Sequence, residues 1–104
     1  MAEIVWTEPA LGDLDAIADY VAIENPTAAS ELVQRVLGHV AQLVEHPESG
    51  SRPRELKHSR YRQIVAPPCR IFYRYDNKKV YILHVMRSER LLRKRRLVSE
   101  PKSA

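Results

Sequence analysis

Apolar positions along the chain change period twice. Residues 3–6 form a short apolar run ending at Trp6, which predicts a first strand. Leu14, Ile17, Ala18 and Val21 then stand at i, i+3, i+4 and i+7, one helical stripe with Asp13, Asp15 and Asp19 mostly off it. Thr7-Glu8-Pro9 supplies the start of that helix: a hydroxyl able to accept from free amides, and a proline tolerated in the first turn. Asn25-Pro26 repeats the signal. From there Ala29, Leu32, Val33, Val36, Val40, Leu43 and Val44 carry a second stripe for four turns or more. Gly38 interrupts it at a cost of about 1 kcal/mol relative to alanine, which suggests a close packing contact. The turn between the helices is short, so they are expected to pack antiparallel.

The period returns to two in the second half. After a loop rich in proline and glycine (His46 to Arg54), Tyr61-Arg62-Gln63-Ile64-Val65 is extended. Pro67-Pro68 breaks the run. Cys69 to Tyr75 and Val80 to Arg87 then flank the polar Asp76-Asn77-Lys78-Lys79, which predicts an antiparallel hairpin. Ser88 can cap a short terminal helix through Leu91, Leu92 and Leu97. One strand, two helices and three strands predict an α+β domain, with a helical hairpin on one face of a small twisted antiparallel sheet. A chain of 104 residues is expected to form one such domain, spanning 1–104.

Composition narrows the class without choosing a function. Hydrophobic content of 44% and charged content of 29% fit a globular chain rather than a disordered one. The formal net charge of +4 favours an acidic partner, whether nucleic acid, ribosome or protein. A lone cysteine, Cys69, excludes an internal disulfide and suits a reducing cytoplasm. There is no signal-peptide pattern and no apolar run long enough for a membrane span, so a cytoplasmic protein without a membrane partner is expected. His39, His46 and His58 lack companions at metal-ligand spacing, and neither a metal nor a cofactor is expected.

Several phrases, in order, resemble the ParE/RelE superfamily of bacterial toxin–antitoxin systems. They are Val5-Trp6-Thr7 before Ala10, Asp13-Leu14 with Ile17 and Tyr20, Asn25-Pro26 with Ala28-Ala29, and Pro47-Glu48-Ser49-Gly50. Tyr61-Arg62, Arg70-Ile71-Phe72-Tyr73-Arg74 and Ile82-Leu83-His84-Val85-Met86-Arg87 complete the set, from residue 4 to about 92. The resemblance implies a toxin neutralised by a cognate acidic antitoxin in a hetero-oligomer. It also implies one of two activities: RelE-like members cut messenger RNA on the ribosome, whereas ParE-like members poison DNA gyrase without a chemical step of their own.

The candidate residues favour the ParE-like branch. Arg70 and Arg87 match two arginines that hold phosphate in RNA cleavers, and guanidinium forks suit that task. Pairing Tyr75 with Val80 puts Arg70 and Arg74 on one face with Tyr81, Leu83, Val85 and Arg87, and turns His84 away as a satisfied histidine beside the core. Either arginine could instead pair with Glu55, Asp76 or Glu89. RNA cleavage also needs a proton shuttle. Where the resemblance leads one to expect lysines and a later tyrosine, this chain has Arg62, Gln63 and Ile64, and Arg93. Arginine, with a pKa above about 12, shuttles protons poorly. No catalytic residue is therefore expected on the gyrase reading; on the RNase reading the set is Arg62, Arg70 and Arg87. Target contact is assigned to Arg87, Arg90, Arg93 and Arg95, with Arg70 in support. Asp13, Asp15 and Asp19 read as a solvated helix face, and Cys69 and Trp6 as structural.

Overall fold

The structure, a computed structural model, describes residues 1–88. Beyond its capping Ser88, the expected terminal helix through Leu97 lies outside the described residues, as do the assigned contacts Arg90, Arg93 and Arg95. Within them the elements are β1 (Glu3–Trp6), α1 (Glu8–Ala22), α2 (Pro26–Ala41), β2 (Tyr61–Ala66), β3 (Cys69–Asp76) and β4 (Lys79–Arg87). Short 3-10 turns at Gln42–Val44 and Arg54–Leu56 sit between α2 and β2.

Both helix starts form as the capping residues dictate. The Thr7 hydroxyl accepts from the Ala10 amide at 3.3 Å, and the Asn25 side chain accepts from the Ala28 amide at 3.0 Å. Each satisfies an amide that the first helical turn leaves without a partner. Thr7 does more than cap. Its hydroxyl also donates to the Ile82 carbonyl at 2.7 Å, which ties the head of α1 to the middle of β4.

The sheet order is β1-β4-β3-β2. It is mixed rather than wholly antiparallel, because β1 runs parallel to β4 while β4, β3 and β2 alternate. The α1–α2 hairpin packs on one face. Ala10, Leu14, Leu32, Val36, Val40 and Leu43 meet Cys69, Ile71, Tyr73, Val80, Ile82 and Val85 in one buried cluster. A smaller cluster of Phe72, Leu83 and Met86, flanked by Leu56, Tyr61 and Tyr81, lies apart from it. Residues facing one another across a ladder share a face, so this second cluster belongs to the opposite side of the sheet.

Gly38 does not make the close contact its place in the helix suggests. A methyl group added there would meet nothing within 4 Å. The close approach occurs at Gly50 instead. An added methyl would lie 2.6 Å from both the Gln63 carbonyl oxygen and the Tyr73 hydroxyl.

Candidate functional site

The β3–β4 hairpin carries most of the candidate residues, and its register decides which of them meet. At the turn, Asn77 and Lys78 take φ of 55° and 67°, the pair of positive values that lets two strands join without splaying. Tyr75 pairs with Val80 and Arg74 with Tyr81, as the sequence spacing requires. The register then slips. Tyr73 faces Ile82 but Phe72 faces His84, which leaves Leu83 as an extra residue in β4.

One extra residue reverses every face assignment beyond it. Arg70 therefore faces Met86, and Arg87 faces Cys69. The expectation that Arg70 and Arg87 share a face is corrected by this bulge. Cys69 belongs to the helix-side core, and the Arg87 guanidinium stands 5.8 Å from the centre of the Tyr20 ring on α1. Arg70 lies on the other side, 4.8 Å over the Phe72 ring.

Arg70 is also engaged. Its two terminal nitrogens donate to the two oxygens of Glu55 at 3.0 and 2.8 Å, and Nε donates to the side-chain amide oxygen of Gln63, Oε1, at 3.2 Å. The side chains are only 7% and 14% exposed, which makes this a buried pair rather than a surface one. Arg62 is held elsewhere. It pairs across the ladder with Tyr73, on the helix side, and donates to the carbonyls of Glu48 and Gly50 at 3.1 and 2.9 Å. The fold thus disperses Arg62, Arg70 and Arg87 over two faces of the sheet. Arg74 stays on the Arg70 face, 4.6 Å over the Tyr81 ring.

Two arrangements escaped the sequence reading. The first is Asp13. Its Oδ2 accepts from the Val85 amide at 3.1 Å and lies 2.9 Å from His84 Nδ1, so it is not part of a solvated face. An ionised carboxylate only accepts, so Nδ1 carries the proton in this contact. Beyond Ile82, β4 has no β1 partner, and Asp13 satisfies the amide that a strand would otherwise have taken. His84 is a satisfied histidine, as expected, but its partner is this carboxylate. The signal was present: Ala10, Asp13, Leu14 and Ile17 are also spaced i, i+3, i+4 and i+7, which puts Asp13 at the rim of the buried stripe.

The second is Tyr73, fully buried, whose hydroxyl accepts from the Gly50 amide at 2.9 Å. Burial pushes that hydroxyl above its usual 10.0, partly offset by the Gly50 hydrogen bond. Around Gly50, between α2 and β2, a cleft of about 370 Å³ is lined by His39, Leu43, Ser51, Ile64 and Val65, among others. Ser51 and Gln63 exchange both backbone hydrogen bonds at the outer edge of β2. By alternation, the Val65 amide and carbonyl also point to that open edge, and its side chain is exposed.

The profile of the ParE toxin of the type II toxin–antitoxin system parDE matches residues 4–92, and the chain belongs to that family. Toxin RelE2 of Caulobacter vibrioides is 36% identical over 95 residues, covering 88% of this chain and all of the relative. Y4kP of Sinorhizobium fredii is 40% identical over 83 residues, covering 80% of this chain and 84% of its own. A solved structure of the chromosomal ParDE toxin–antitoxin system from P. aeruginosa superposes with a TM-score of 0.73 at 28% identity. That match covers 86% of this chain and 98% of the other. Membership of the family implies a cognate antitoxin. No described helix is long and apolar enough to cross a membrane.

Proposed function

We propose that this toxin acts in the ParE-like manner, binding DNA gyrase and stabilising a cleaved complex without a chemical step of its own. The observation that carries the reading is the dispersal of the arginines. An RNA cleaver has to bring phosphate-binding and proton-transfer groups to one point. Here Arg62 and Arg87 belong to the helix side of the sheet, while Arg70 is paired with Glu55 on the other. Target contact then falls to Arg87, Arg90, Arg93 and Arg95, with Arg70 available only once Glu55 releases it. An acidic antitoxin neutralises the toxin in a hetero-oligomer, and the open edge of β2 at Val65 suits addition of an extended segment.

The test adds purified toxin to gyrase, relaxed plasmid and ATP. Loss of supercoiling with accumulation of linear plasmid is the expected result. Intact supercoiling with folded protein refutes the reading. The RelE-like alternative, ribosome-dependent cleavage of mRNA, has in its favour the name of the Caulobacter relative. It is checked by cell killing with Arg70→Ala and Arg87→Ala combined: undiminished killing refutes it.

A further inference from the structure

We propose that the loop from Arg52 to Arg60 is a contact surface for the sugar–phosphate backbone of nucleic acid. In this stretch Arg52, Arg54, Lys57 and Arg60 are all exposed. Its one acidic residue, Glu55, is turned inward onto Arg70. The loop therefore shows four cations to solvent while its negative charge is spent beneath them. Arg54 and Lys57 make no hydrogen bond or ion pair among the described residues. Among the same residues Arg60 has only a long, exposed contact with Asp76 at 3.9 Å, which water and salt displace readily.

The same inward pair fixes the loop in place. Glu55 ties it to β3, Leu56 packs beside Phe72, Leu83 and Met86, and Arg52 donates to the Ser59 carbonyl. The cations are thus mounted on an anchored ridge, with Tyr61 half-exposed at its foot. The first third of the chain points the field in the same direction. Ahead of Arg35 there are seven carboxylates and no lysine or arginine, so β1, α1 and the start of α2 repel a polyanion while the loop attracts it.

Nucleic acid fits this surface better than an acidic protein does. A protein segment that folds on binding needs apolar area to bury, and the loop's own apolar side chain, Leu56, already packs inward. A phosphate backbone needs only spaced cations, since release of condensed counterions supplies the affinity. The inference goes beyond the toxin assignment, and direct binding tests it whether or not gyrase is the target.

The experiment measures fluorescence anisotropy of a short DNA duplex and of a single-stranded RNA, between about 50 and 200 mM salt, with the full chain. Two double variants of equal charge are compared: Arg54→Gln with Lys57→Gln in the loop, and Lys78→Gln with Lys79→Gln at the β3–β4 turn. All four side chains are exposed, and melting temperatures verify folding. The loop variant is expected to lose tenfold or more in affinity. Its log–log salt slope on duplex is expected to fall by about 1.8, two phosphates at about 0.9 each, with the turn variant little changed. A response to duplex points to DNA as the source of the phosphates, and one confined to RNA points to RNA. Equal losses in both variants reduce the effect to net charge and overturn the proposal. So does a loop variant that binds both nucleic acids normally, including one that loses binding only to a poly-glutamate peptide, which would assign the loop to an acidic protein.

Discussion

The two faces of the sheet are built by different means. The helix-side face is closed by elements whose apolar stripes run the length of α1 and α2, and its buried cluster draws on β2, β3 and β4, with Ile4 and Trp6 of β1 packed against it. Among the described residues, the opposite face has a buried apolar cluster of three, Phe72, Leu83 and Met86, and part of its cover is the loop held by the Arg70–Glu55 pair. One face is secured by area, about 25 cal/mol for each Å² of apolar surface removed from water. The other depends on a few directional contacts.

The helix-side face should break most sharply at Gly50. Gly50→Ala pushes a methyl group to 2.6 Å from the Gln63 carbonyl and the Tyr73 hydroxyl, where one neighbour is backbone and cannot yield cheaply. Overpacking with displaced backbone costs about 3 kcal/mol, read as a lower urea midpoint with an unchanged slope. A loss under about 0.5 kcal/mol, the range of ordinary surface changes, would show that the 49–51 segment moves aside freely.

On the other face the matching break is Glu55→Ala. It strands the Arg70 guanidinium in a site 7% exposed. Breaking a fully buried pair costs 3–5 kcal/mol, and the partial exposure of Glu55 reduces the expectation here to about 2 kcal/mol. Replacing both partners, Arg70→Met with Glu55→Leu, should recover most of that loss, because no charge is left unpaired. Unequal recovery measures how far this face relies on direction rather than area. If Glu55→Ala is neutral, the distinction between the faces fails.

Tyr73→Phe sharpens the comparison by removing one polar contact from the area-built face. The Gly50 amide loses its acceptor, at a cost of about 1 kcal/mol. It should also change the pH profile. The folded pKa is raised above 10.0, so the tyrosine's contribution is complete below pH 10.0 and declines as pH rises beyond it. The wild type should therefore lose stability more steeply than Tyr73→Phe above that pH. Parallel alkaline profiles would show that the hydroxyl ionises as freely folded as unfolded.

The faces also differ in how far the sequence betrays them. The helix caps at Thr7 and Asn25, both stripes and the turn end of the hairpin follow from local spacing, because one segment's chemistry suffices to form each. The bulge at Leu83 does not. Leu83, Val85 and Met86 are apolar, and either parity buries them, so alternation carries no mark of the slip that separates Arg70 from Arg87. The Gly50–Tyr73 contact spans 23 residues and the Asp13–His84 contact 71, distances over which periodicity says nothing. Glu55 is visible beforehand only as one of three carboxylates able to meet an arginine. The family resemblance supplies the fold, but the dispersal of the candidate arginines has to be seen.

The smallest expected effect has the opposite sign. Gly38 lies in α2 on the outward side of the helix layer, exposed, with nothing within 4 Å of an added methyl group. Neither face of the sheet uses it. Gly38→Ala should therefore stabilise the toxin by about 1 kcal/mol, the helical preference for alanine together with the reduced freedom of the unfolded chain. For a domain of this size that raises the melting temperature by about 4 °C. Destabilisation instead would mean that α2 needs the smaller residue to curve over the sheet, and the helix side would then rest on backbone shape as well as on buried area. A stabilised variant with unchanged toxicity would show that the target does not use the outer surface of α2 at Gly38. Lost toxicity in a more stable protein would place the target on the outer surface of α2.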